Sequence, residues 1–459
     1  MKKKLFSALL AGLLCLCFCG CSAVESYIDG LLGAESGVGT GVQSGLPSSG
    51  GSTVTEEEEL TVAPATDFEY KVRESGVTLT KYLGSAERII VPDTVEGASV
   101  VSIASGTFEN SSEIKELVVP DSVAVVGHGA LSGCTKLEAL SLPYAGGEEN
   151  AHSYIGYVFG ANKPSENAKT VPTTLKELTV GGSKIVDDAF YGMERLKKLK
   201  VKDSVKEIEK GAFADLDSLE TLTVPFIGGT AEDTAPFGFV FGGDSYGDNR
   251  KVLPSSLRYL TVTGETKVLP YDFYGAERLV TVDFCGTVTS VGEYAFSKCE
   301  ALKKATGLDK VKTVGQYGFA YCKSLTELSL PLVSRVENNS FYGCMSLKGV
   351  TLSEELDYIG ECAFAFCESV YEITLPEALK ALERRTFYGC SGLVSIDIPE
   401  SVETLGDEVF CGCTAMKKLS GGEGVNSVGE KAFEFCPKTM KKELKSGSFL
   451  ATWFENEGK

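Results

Sequence analysis

The sequence predicts a repeat solenoid: short parallel β-strands stacked rung on rung, with irregular or short helical return arcs and two inserted loops. Three observations predict it. Leu325–Ala415 reads in four rows that each open Leu/Val-x-x-apolar-x-apolar and close on small-Phe-x-x-Cys, with a period of 22–23 residues. One such unit cannot bury its own apolar face and must stack on the next. The closing anchor recurs at Phe108, Leu131, Phe190, Phe213, Phe273, Phe296, Phe319, Phe341, Phe364, Phe387, Phe410 and Phe433. The chain is long at 459 residues, and its ordinary apolar content allows a continuous one-dimensional core.

Met1–Gly20 reads MKKKLFSALLAGLLCLCFCG. Three lysines precede an apolar run too short to span a bilayer comfortably, as in a secretory signal peptide. Phe18-Cys19-Gly20-Cys21-Ser22 resembles a bacterial lipobox, which makes Cys21 the expected lipidation site and a lipid anchor the expected link to a membrane. Residues 21–66 contain GVGTGVQSGLPSSGGS and Glu56–Glu59, a Gly/Ser-rich acidic composition expected of a flexible tether. Residues 67–107 alternate apolar and polar in short runs and are placed to cap the first rung. Residues 108–436 carry the repeats, and residues 437–459 form a C-terminal cap with a short helix.

Two anchor gaps, Leu131 to Phe190 and Phe213 to Phe273, are each more than two and a half times the usual step. Subtracting one repeat from each leaves a large insertion between rungs. The two insertions, near 144–174 and 226–256, resemble each other: Ile155-Gly-Tyr-Val-Phe-Gly160 against Phe237-Gly-Phe-Val-Phe-Gly242. Their aromatics Tyr157, Phe159, Phe237, Phe239 and Phe241 are candidate ligand-binding residues, because insertions in a solenoid gather on one face. The alternative is that they pack the loop onto the solenoid.

The motif Leu-x-x-Ile/Val-x-Leu-Pro-x-x-Val-x-x-Ile-Gly-x-x-Ala-Phe-x-x-Cys, carried well by Thr351–Cys367 and Ile396–Cys413, is similar to the BspA-like (Treponema pallidum-type) leucine-rich repeat. The resemblance covers roughly Leu79–Cys436. It implies a right-handed leucine-rich-repeat superhelix displayed on a bacterial surface, facing the extracellular side, with adhesion in some members. It implies no activity and transfers no binding residue.

In each row the apolar residues of the strand point inward and the others outward. The outward slot before the last apolar position is Ser or Thr in nine of thirteen rows, from Ser141 to Ser420. This hydroxyl ladder is either a recognition surface or a solvated strand face. Eight of fifteen cysteines lie three residues after an anchor, in a slot that other rows fill with Met193, Leu216 or Ala276. That substitution pattern points to packed thiols rather than metal ligands, with a structural disulfide as the alternative in an exported chain.

Composition argues against nucleic acid. Without Lys2, Lys3 and Lys4 the count falls from −19 to −22, whereas phosphates require Lys/Arg neutralisation. Gly243-Asp244-Ser245-Tyr246-Gly247 matches G-x-S-x-G but lies in a Gly-rich insertion without the strand and helix that present a nucleophile. Asp244, Asp248 and Asn249 are oxygen donors suited to Ca²⁺ but lack the loop spacing. The expectation is a surface-displayed protein that binds a protein or glycan, with no catalytic residue, no cofactor and no metal. A carbohydrate-binding lipoprotein is the second reading, and a hydrolase with a site in 229–252 the third.

Overall fold

A computed structural model describes residues 59–232 and 234–456. The signal peptide, Cys21 and most of the tether lie outside the described residues.

The apolar triplets form one face of the solenoid. Thr61–Val62, Arg88–Ile90, Glu116–Val118, Ala139–Ser141, Glu177–Val180, Lys198–Val201, Thr221–Val224, Tyr259–Val262, Thr281–Asp283 and Lys304–Thr306 make a ten-stranded parallel sheet. Glu327–Ser329 pairs with Gly349–Thr351. The Glu372–Ser395 bridge then leads into Ser395–Ile398, Lys418–Gly421 and Lys441–Glu443. That is sixteen rungs among the described residues, and each recorded pairing between them is parallel. The sheet starts earlier than composition indicates: Thr61–Val62, in the acidic tether by sequence, pairs with Ile89 and Ile90. Two-residue strands such as Ser290–Val291, Thr313–Val314, Arg335–Val336 and Tyr358–Ile359 form a second, narrower ladder on another side.

Between the ladders lies a column of phenylalanines. From Phe273 to Phe410 every anchor is fully buried, and successive rings are 4.9–5.6 Å apart and nearly parallel, within 13°. The rung spacing of a parallel sheet imposes that distance. The column is closed at both ends by other rings. Phe68 and Tyr82, from the antiparallel hairpin Phe68–Arg73/Gly76–Tyr82, sit 6.1 and 5.4 Å from Phe108. Trp453 and Phe454, from helix Phe449–Asn456, sit 5.8 and 4.9 Å from Phe433. Leu450 of that helix is completely buried.

The cysteine slot is more than apolar filling. Each ladder thiol donates to the carbonyl of the anchor one rung earlier: Cys299 to Phe273, Cys322 to Phe296, Cys344 to Phe319, all at 3.1 Å. Cys134, Cys367, Cys390, Cys413 and Cys436 repeat the contact at 3.1–3.3 Å. None of the eleven described cysteines is in a disulfide. Burial pushes the Cys134, Cys344 and Cys390 thiols up to about 12, so they remain protonated donors at any physiological pH.

The long gaps resolve differently from the anchor arithmetic. Ala139 pairs directly with Glu177, and Thr221 directly with Tyr259. Each of these steps covers more chain than the ordinary step from Lys198 to Thr221, yet each joins adjacent strands. Each insertion is therefore part of one enlarged rung, rather than a segment added between rungs. The anchor count misses these rungs because a 3₁₀ turn closes them in place of small-Phe-x-x-Cys.

Phe319 lies between Phe296 at 4.9 Å and Phe341 at 5.6 Å. Phe319→Ala is expected to cost about 3–5 kcal/mol in chemical denaturation. Phe319→Leu should lose less than half of that, since Leu131 already serves as an anchor.

Candidate functional site

The two long rungs are built alike. Turns Ile155–Phe159 and Phe237–Phe241 each end on a glycine in the left-handed region, Gly160 (φ 97°) and Gly242 (φ 96°). In both, a completely buried asparagine pins the turn. Asn167 Oδ1 accepts from Gly156 N–H at 3.0 Å, and Asn249 Oδ1 accepts from Gly238 N–H at 2.8 Å. Asn249 Nδ2 also donates to the carbonyls of Asp272 (3.0 Å) and Tyr274 (3.1 Å) on the next rung. The two pins are as far apart along the chain as Phe159 is from Phe241. No apolar pattern marks these asparagines. The signal that could have found them is the matched Asn at the same offset from the first Gly of each turn.

This geometry corrects three of the candidate binding residues. Phe159, Phe237 and Phe241 are 4%, 1% and 3% exposed. Phe241 lies 5.7 Å from Phe213, Phe237 lies 5.6 Å from Phe241, and Phe273 lies 5.2 Å from Phe237. The turn thus carries the ring column across the long rung, and Phe237 and Phe241 are committed to that packing. Tyr157 and Phe239 are half-buried. Both histidines of the chain flank Tyr157: the His152 ring stacks on it at 4.2 Å and the His128 ring meets it edge-on at 5.1 Å.

The G-x-S-x-G serine is a helix cap. Ser245 Oγ donates to Asp248 Oδ2 at 3.0 Å, and Asp248 Oδ2 also accepts from Ser245 N–H at 3.1 Å. Lys251 and Ser245 together hold the Asp248 carboxyl below its ordinary range. The calcium donors serve different partners. Asp244 pairs with Lys210, Asp248 with Lys251, and Asn249 with Gly238.

The strand face is the second candidate. Its outward slots are in register: Val118, Ser141, Thr179, Lys200, Thr223, Thr261, Asp283 and Thr306 pair in sequence along the ten-stranded sheet. Beyond Thr306 the sheet breaks, and a shallow groove of about 750 Å³ opens. Two small residues make room for it. Gly349 stands opposite Glu327, where a Cβ would meet nothing within 4 Å, and Ala305 fills an inward slot that neighbouring strands give to Val282 or Leu328. Ser329, Thr351, Lys304, Lys348 and Glu327 line the groove, and Tyr371 stands beside it 58% exposed. This surface offers hydroxyls, charges of both signs and one aromatic anchor, a mixture suited to an extended partner. The sequence shows the hydroxyls, but it does not show the groove, which depends on which rungs come together.

Asn249→Ala removes the partner of Gly238 N–H and of two carbonyls, so a stability loss of about 3 kcal/mol is expected. Asn249→Asp should be no rescue, because a carboxylate faces the Asp272 and Tyr274 oxygens. Hydrogen exchange should show the loss first at Gly238, with the strand face protected.

No curated protein matches the chain. Its structure is similar to that of a leucine rich cell surface protein from Faecalibacterium prausnitzii A2-165 (23% identity, 86% of this chain and 97% of that one, TM-score 0.34). It is also similar to a leucine-rich repeat protein from Bacteroides ovatus ATCC 8483 (20%, 83% and 98%, TM-score 0.33) and to the T. pallidum leucine rich repeat protein (20%, 57% and 90%, TM-score 0.21). A family model described as the BspA type leucine rich repeat region, in six copies, matches residues 84–163, 168–230, 255–334 and 334–451. With the rungs, the anchors and this match covering most of its length, the chain belongs to the BspA-type leucine-rich-repeat family.

Proposed function

We propose that this chain is a surface-displayed, lipid-anchored binding protein that holds an extended protein partner across its strand face. The observation that carries the reading is the groove beside Tyr371, which opens where the ten-stranded sheet with its in-register outward slots ends. A row of outward side chains repeating at every rung recognises a partner along its length. The exposed tyrosine supplies the kind of anchor around which binding energy concentrates. The leader Met1–Gly20 and Cys21 support export and anchoring, and the composition of the tether supports display away from the envelope. The capped Ser245 supports a non-catalytic role, since its hydroxyl is committed to Asp248.

Two measurements test this. Binding of the full chain to a panel of extracellular-matrix proteins is expected to fall roughly tenfold in Tyr371→Ala, with unchanged melting. Unchanged affinity would remove the groove from the site. Cys21→Ala is expected to move the protein from the membrane fraction to the medium and to abolish fatty-acid labelling. Retention of label would place the anchor elsewhere.

A further inference from the structure

A second surface owes nothing to the strand face. It lies on the return arc, beside the phenylalanine column. Two residues before every anchor but Phe190 the backbone turns through the left-handed region. That slot is glycine at Gly211 (φ 77°) and asparagine at Asn339 (φ 59°), the residues this region favours, and Cys362, Arg385, Glu408 and Lys431 fill it towards the C-terminus. In three consecutive rungs it is instead tyrosine: Tyr271 (φ 65°), Tyr294 (φ 54°) and Tyr317 (φ 55°). A bulky side chain there carries a local conformational cost that persists only where the surroundings demand it. The three rings stack at 5.0 and 4.7 Å, within 10° of parallel, and none is fully buried. The second long rung extends the row, placing Tyr246 on Tyr271 at 4.3 Å with 47% of it exposed.

A second row takes over at the Phe319 rung, from positions one or two residues after the anchors. Tyr321 (φ 62°) and Phe366 (φ 60°) again occupy left-handed positions. Tyr321 meets Tyr342 at 5.4 Å, Phe366 meets Tyr342 at 5.4 Å, and Tyr388 meets Phe366 at 5.3 Å, with interplanar angles of 62–74°. Tyr246 and Tyr321 are the most exposed members of the two rows, and the other rings are half-buried. Glycines seat the second row: a Cβ on Gly343 would lie 3.2 Å from Tyr321, and one on Gly389 2.8 Å from Phe366. Cations mark its edges, with Lys298 over Tyr274 at 5.1 Å and Arg385 over Tyr388 at 5.3 Å. Burial raises the Tyr271, Tyr294 and Tyr342 phenols above their ordinary range, so they stay protonated.

We propose that this aromatic strip is a docking surface for a linear neutral polysaccharide. The strip is long, narrow and regular, with one ring per rung, a spacing comparable to one unit of an extended pyranose chain. Such a chain presents a flat C–H face and a hydroxyl at every unit. The exposed parts of the rings accept the first, and the row of phenols, donor and acceptor at once, pairs with the second. A chain of formal charge −19 does not suit a polyanion. A compact protein hot spot would be a central cluster with a rim, not a row.

The test is native gel electrophoresis of the full chain through hydroxyethylcellulose, barley β-glucan, xylan or galactomannan, with heparin as the polyanion. At least one neutral polymer is expected to retard the chain. The double variant Tyr321→Asn with Phe366→Asn should weaken retardation roughly tenfold while melting at the same temperature or higher, because asparagine suits a left-handed backbone. Tyr271→Phe with Tyr294→Phe and Tyr317→Phe keeps the stack, removes the hydroxyls and should weaken it in part. Tyr371→Ala should leave it unchanged, which separates this surface from the strand face. No retardation by any neutral polymer, retardation by heparin alone, or equal retardation of the asparagine variant would overturn the proposal.

Discussion

The structure depends on one ring meeting the next at the spacing of a parallel sheet. A β-rung rises by a fixed distance set by backbone hydrogen bonds. A phenylalanine placed once per rung therefore finds its neighbour at 4.9–5.6 Å, within reach of offset stacking. Every other regularity is subordinate to that contact. The small residue before the anchor allows the ring to enter. The thiol three residues later occupies the space beside the ring and gives its proton to the previous anchor's carbonyl. The chain cannot end on a bare ring, so Tyr82 at one end and Trp453 and Phe454 at the other cover the column.

The long rungs show how strict the constraint is. Their extra length could have broken the column. Instead Phe237 and Phe241 carry it from Phe213 to Phe273, and a buried asparagine satisfies the backbone that the longer turn leaves unpaired. A buried amide hydrogen-bonded on both sides is far better than an orphaned N–H. The same solution appears twice, at Asn167 and at Asn249, in matching places of the two insertions, as a duplicated unit would require.

Because the interior is so constrained, chemical variety is confined to the outward slots. On the strand face these are hydroxyls and charges, with an opening where Gly349 and Ala305 are small. On the return arc they are aromatics held in left-handed positions. The two surfaces come from different slots of the same repeat, so one can change without disturbing the other or the core.

The sequence by itself determined the solenoid, its period, its anchors and the inward or outward sense of each strand residue. Those features are local: they follow from spacing along the chain, and a dozen copies repeat the message. It also showed that the two insertions were related. Tertiary structure alone decided what the insertions do. Gly-aromatic-Val-Phe-Gly reads equally as an exposed loop or a buried turn, and only the position of Phe213 and Phe273 on either side makes Phe237 and Phe241 part of the column. Asn249 reads as a loop donor until Gly238, Asp272 and Tyr274 surround it. Tyr271, Tyr294 and Tyr317 stand one full repeat apart in the chain and become neighbours only after folding. Surfaces assembled from one residue per rung are invisible to local pattern, because their contacts exist only between turns of the solenoid.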